Sequence, residues 1–220
     1  MKKLLHILTV MLAASVISSC NSVSDMLGGT KMDTEDATRK VAETLKKNID
    51  FNEWKIYRLA WMEGEELENQ LQLVVVEMIN RNNDCFTQSF LLSGPGAGNI
   101  SELSAAGGMA TGHVLFDKTT GITLDMVDPA AIQKQYDAAK AMIPEGYTFQ
   151  SIASYTFQET MPSGSEFLDR NKNLGEIVAS FCVNVTEDGK EQVTSAGKTS
   201  IQYYEVTFNV LPDGSVEMAE

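Results

Sequence analysis

Histidine is nearly missing from this chain: two in 220 residues, His6 and His113, and His6 sits in a segment that reads as removable. That scarcity excludes a multi-histidine metal centre. A Ser-His-Asp site would have to use His113, and no Gly-x-Ser-x-Gly elbow exists to present its serine. Basic residues are also few, 17 Lys and Arg against 30 Asp and Glu, for a formal charge of −13. So acidic a surface repels phosphate backbones and anionic bilayers, which excludes nucleic acid as the expected partner. Five prolines and 16 glycines leave no collagen-like or low-complexity chain. Beyond the first 20 residues no apolar run approaches the roughly 20 residues that span a bilayer.

What is present is an ordinary globular balance, 43% hydrophobic and 21% charged, enough for one large domain or two small ones. The N-terminus departs from that balance. Lys2 and Lys3 precede an apolar run from Leu4 to Ile17 and then Ser18 and Ser19, the layout of an export signal. The boundary Ile17-Ser18-Ser19-Cys20 resembles the lipobox of bacterial lipoproteins. The resemblance implies cleavage before Cys20, a thioether-linked diacylglycerol on its sulfur and an acylated amine, so that several palmitate-like chains anchor the protein firmly. Asn21 stands where an inner-membrane retention signal would place Asp, which by the same resemblance implies the outer membrane, on either face. Removing Lys2 and Lys3 leaves 15 basic residues against 30 acidic, a mature charge of −15. Residues 1–19 are thus the signal peptide, and 20–33 the lipidated cysteine and a small, polar tether with a relaxed span of about 20 Å.

Cys85 and Cys182 remain, an even number in an oxidising compartment, so a disulfide between them is one reading and two separate thiols the other. A catalytic thiol has no adjacent base in the sequence.

The body has a repeated order. Thr34 is placed to cap a helix reaching Asn48, with Ala37, Val41 and Leu45 along one face. Period-two patterns follow at Trp54 to Met62, Leu71 to Ile79 and Cys85 to Leu92, with Tyr57, Leu59 and Trp61 expected on one side. Ser93 to Gly112 then carries six glycines, and His113 to Phe116 with Ile122 to Met126 suggest a hairpin. Asp128-Pro129 opens a second helix with Ile132, Tyr136, Ala139 and Ile143 on its apolar face. Strand patterns return at Tyr147 to Phe157, Glu176 to Thr186, Thr199 to Val210 and Ser215 to Met218. The expected fold is α+β, two helix-plus-antiparallel-meander units in tandem at 34–126 and 127–220, an internal duplication in pattern. Such tandem units resemble cystatin-like folds and the duplicated beta-lactamase-inhibitor fold in pattern alone. No motif of either is present, so no site follows from them.

Motifs for chemistry fail on inspection. Gly94, Gly96 and Gly98 lack the Gly-Lys-Ser/Thr of a phosphate loop; with Asn99 they read as a flexible or partner-binding loop. Asp169, Asn171 and Asn173 open like a calcium loop, but glycine falls at the seventh place and Ser180 at the twelfth. Glu63, Glu65, Glu66 and Glu68 read as a solvated turn. Tyr147, Phe149, Tyr155 and Phe157 share a face with Ser151 and Ala153, either core or part of an exposed groove. No catalytic set, metal site or cofactor is expected. The expected function is a non-enzymatic binding or assembly module with a protein partner in the cell envelope. The alternatives are a small-ligand carrier or sensor and, ranked last, a carboxylate-dependent hydrolase.

Overall fold

The computed structural model describes residues 10–11, 29–107, 111–195 and 198–219. Cys20, the signal apart from Val10–Met11 and most of the tether lie outside the described residues.

Helix α1, Glu35–Asn48, turns Ala37, Thr38, Val41 and Leu45 inward, as the four-residue recurrence requires. Thr34 takes the N-cap position without capping, because its Oγ1 donates to the Lys31 carbonyl (2.7 Å). Strands β1 (Trp54–Glu63), β2 (Leu71–Asn80) and β3 (Cys85–Leu91) form a meander, and β4 (Ser104–Ala105) adds a short edge. Helix α2, Pro129–Met142, starts at Asp128, whose carboxylate accepts from the Ala130 and Ala131 amides. Ile132, Tyr136 and Ala139 face inward. A second meander follows: β5 (Tyr147–Glu159), β6 (Ile177–Glu187) and, after a separate hairpin of β7 (Gln192–Ser195) and β8 (Lys198–Ile201), β9 (Tyr203–Val210), which also pairs with β10 (Val216–Met218).

The two meanders form one sheet of spatial order β9-β6-β5-β1-β2-β3-β4, joined through the antiparallel pairing of β1 with β5. The fold is therefore α+β, with helix and three strands occurring twice and the first strand of each set meeting at the centre. One transverse row of paired residues, Phe90, Val74, Trp61, Tyr155, Phe181 and Phe208, crosses six strands. Its aromatic members stack from strand to strand. Trp61 and Tyr155 lie 4.6 Å apart, Tyr155 and Phe181 5.7 Å, and Phe181 and Phe208 5.4 Å. Tyr136 of α2 meets Tyr155 and Phe181 edge-on over this row, and Gln135 accepts from the Tyr155 hydroxyl.

The structure corrects several sequence expectations. Tyr147, Phe149, Tyr155 and Phe157 share a face that packs into the core, one of the two readings left open, but Ile152 joins them. Register shifts at Gln150 and Ala153 each add a residue, which turns Ser151 to the other face. A similar shift at Tyr57 sends that ring away from Leu59 and Trp61 into a second, smaller cluster with Ile79, Val114 and Phe116. The expected hairpin over 113–126 is instead a chain of tight turns, Thr111–His113, Phe116–Lys118 and Leu124–Met126, tied to β1 where the Ile122 amide donates to the Ile56 carbonyl (2.7 Å). The strand expected from Thr199 to Val210 breaks at Gln202. Cys85 and Cys182 form no disulfide: they belong to β3 and β6, whose axes lie four strand spacings, or about 19 Å, apart, so the two residues are well beyond disulfide reach. No helix among the described residues is long and apolar enough to cross a membrane.

Candidate functional site

The two ends of the sheet differ in what they carry. At one end the incoming chain is bolted down. Thr30 accepts from the Leu71 amide and Met32 donates to Asn69, both at 2.8 Å, and Lys31 bridges Gln70. The glycine-rich loop sits at this same end. Gly94 to Asn99 are exposed, the Gly98 amide closes the turn onto Leu91 (2.7 Å), and Ser93 donates to the Leu71 carbonyl. Positive φ at Gly94, Gly96 and Gly98 (76°, 92° and 91°) makes the turn possible. The long loop is thus a short turn followed by a segment that returns along β3.

A buried polar network lies beside it. Glu63, at the end of β1, accepts from the Asn69 amide (2.7 Å), the Ser151 hydroxyl (2.9 Å), the Asn184 side-chain amide (2.9 Å) and the Leu67 amide (3.3 Å). Burial pushes the Glu63 carboxyl above its usual range, against the lowering effect of those bonds. Asn69 extends the network: its side chain accepts from the Ile152 amide in the β5 bulge and donates to Asp33. Lys140 of α2 completes it with a 2.6 Å bond to the other Asp33 oxygen. Burial pushes the Asp33 carboxyl up, but Lys140 and Asn69 outweigh it and hold it below the usual range. Leu67 and Asn69 adopt left-handed backbone (φ 68° and 55°), so the network holds a strained turn in place. Glu63 was read in the sequence as part of a solvated turn; the bulge that brings Ser151 to it has no sequence signal of its own.

The opposite end holds the candidate site. The segment from His113 to Gly121 fills the gap where β1 and β5 part. The Phe116 amide donates to Asn83 (2.8 Å), and Lys55 donates to the Phe116 and Thr119 carbonyls (2.8 and 2.7 Å). Glu159, 1% exposed, accepts from the Thr120 and Gly121 amides at 2.8 and 2.9 Å. Against this floor, the segment from Thr160 to Gly175 forms a second wall. Gly164, with φ 81°, lies against the His113 imidazole, which would have to shift to admit a side chain there. Between the walls is a recess of about 360 Å³, lined by Leu115, Met161, Pro162 and Leu174 with His113 and Lys118 among them.

Glu63 is bound by amide and hydroxyl donors and Glu159 by two backbone amides, so neither is aimed at an open reacting position. Among the described residues no cluster of His, Cys, Asp and Glu has the grouping of a metal site. The first residue of the calcium-like loop opening does other work: Asp169 accepts from the Ser163 amide (2.9 Å) and pairs with Lys172 (3.0 Å). Of the sequence candidates, Gly94, Gly96, Gly98 and Asn99 come together at the tether end, and Cys85 and Cys182 stay apart. Leu115, Lys118 and Leu174, which make the recess, were missed. Their only sequence signal is apolar residues in polar loops.

No protein family, curated protein or solved structure matches this chain.

Proposed function

We propose that the protein is an exported, lipid-anchored envelope protein that acts as a binding or assembly module, held through Cys20 to the outer membrane. The observation that carries the binding reading is where the exposed apolar residues gather. Of the eight large apolar side chains exposed among the described residues, five (Leu115, Phe167, Leu168, Leu174 and Val178) belong to the recess, its walls or the start of β6 beside it. Apolar surface concentrated on loops, over a rigid sheet, is the arrangement of a recognition surface. The lipobox resemblance supports the anchor, and the repeated helix-and-meander order supports descent of the two halves from one duplicated unit.

The test is a crosslinked pull-down of the full lipidated chain from cell envelopes against its Cys20→Ala form. A stoichiometric partner lost on Leu174→Asp establishes the assembly reading. A small molecule retained in the recess through purification, seen by native mass spectrometry, establishes the carrier reading instead, which the volume of the recess favours as second choice.

A further inference from the structure

We propose that the recess end docks the apolar C-terminal segment of a partner protein, with Lys118 receiving its terminal carboxylate. The choice of occupant rests on the lipid-anchor reading above and on three observations.

The first is where the tether leaves the fold. Thr30 to Met32 pair with Asn69 to Leu71 at the start of β2, whereas the recess is built on the start of β1, the β2–β3 turn and the end of β5. Strands β1 and β2 have ten residues each, so the two ends are about 30 Å apart. From Cys20 to Gly29 the chain reaches at most about 30 Å and relaxes to about 17 Å. The anchor therefore enters at the end opposite the recess, and the relaxed tether falls well short of the recess.

The second is charge. In a chain of formal charge −13, Lys118 lines an apolar recess and takes part in none of the ion pairs among the described residues. The neighbouring cation Lys55 is committed to two carbonyls, and Glu159 to two amides. An anion entering between Leu115 and Leu174 thus meets one uncommitted ammonium and no uncommitted buried carboxylate. The third is the form of the rim. Phe167 and Leu168, 69% and 59% exposed, extend the apolar surface beyond the recess, more than a small ligand would cover and suited to a peptide with several side chains.

The test uses the full lipidated chain in zwitterionic phospholipid vesicles and a fluorescent hexapeptide of Leu and Phe with a free C-terminal carboxylate, read by anisotropy. Amidating the peptide should weaken binding about tenfold, and Lys118→Glu should weaken the free-acid peptide by as much or more. On Lys118→Glu the amidated and free-acid peptides should bind alike. Leu174→Asp should abolish binding, and Ile100→Asp, an exposed apolar residue on the other edge, should leave it unchanged. All three sites are exposed, so unchanged circular dichroism is expected and confirms folding of each variant. Equal binding of the two peptides to the unmodified chain, or equal loss with Ile100→Asp, overturns the proposal. So does insertion of Leu174 into the vesicles, seen as lipid-dependent shielding of a probe at that position.

The anchor is read separately. Cys20→Ala should release the chain from envelopes while leaving peptide affinity unchanged. A Cys20→Ala chain that stays in the membrane defeats the anchor reading with the docking intact; loss of peptide binding with anchoring intact defeats the docking alone.

Discussion

At the scale of single residues, Glu63 and Asp33 show how one network shifts two carboxyls in opposite directions. Asp33 gains more from Lys140 and Asn69 than it loses by burial, so its ionised form stabilises the fold; that stability is present above the unfolded pKa and is lost as pH falls through the lowered folded value. Glu63 is the reverse. Its folded pKa is raised, so stability declines as pH rises from the unfolded value near 4.5 through the folded one. Glu63→Gln replaces an acceptor oxygen with an NH₂ facing the donors of Asn69, Ser151 or Asn184. We expect a loss of about 1–3 kcal/mol at pH 4 from the unpaired donor. The decline in stability between pH 4.5 and 7 should flatten at the same time. Urea unfolding across that pH range measures both; an unchanged pH slope would show that Glu63 titrates normally in the fold.

At the scale of elements, the aromatic row explains which parts of the sequence could be read and which could not. Helix faces were legible because Ala37, Val41 and Leu45, or Ile132, Tyr136 and Ala139, recur at a spacing that nothing interrupts. Strand existence was legible too. The face of a strand is legible only while alternation is unbroken, and four register shifts, one in β1, one in β2 and two in β5, break it. Hence Tyr57 was placed on the wrong side and Ile152 was left out of the core, while Ser151 was read into the aromatic face instead of the Glu63 network. The recess was illegible for a related reason, since its walls are turns whose positions are set by side-chain-to-backbone bonds from Lys55, Asn83 and Glu159, residues far away in the chain. The central position of Trp61 makes it the sharpest probe of the row. It is fully buried and stacks on Tyr155, so Trp61→Ala should cost about 3–5 kcal/mol. Phe86→Ala, whose half-buried ring meets only Trp54 among the aromatic contacts of the described residues, should cost clearly less. Chemical unfolding of the two variants ranks them, and an equal cost would mean that the row is no more than area burial.

At the scale of the molecule, the halves meet where a sheet is least able to tolerate a cut. The junction pairs Arg58 to Met62 with Ser154 to Gln158, the Trp61–Tyr155 stack spans it, and Asp33, just ahead of the first half, bonds Lys140 of the second. The helices also pack on each other across it. Separating 29–126 from 127–219 would expose β1 and β5 as long edges with apolar inner faces, the form that promotes unwanted strand pairing. Each half expressed alone should therefore aggregate or lack a cooperative thermal transition. Co-expressed halves should recover a soluble complex in which Trp61 emission is that of a buried indole. Under the duplication reading the same geometry has a further consequence. Because β1 and β5 run antiparallel as neighbours, a second copy of either half can take the missing half's place by a half-turn, so whichever half stays soluble alone should do so as a dimer through its first strand. Monomeric, cooperatively folding halves in sedimentation and calorimetry would instead establish two independent domains that merely adjoin in one sheet.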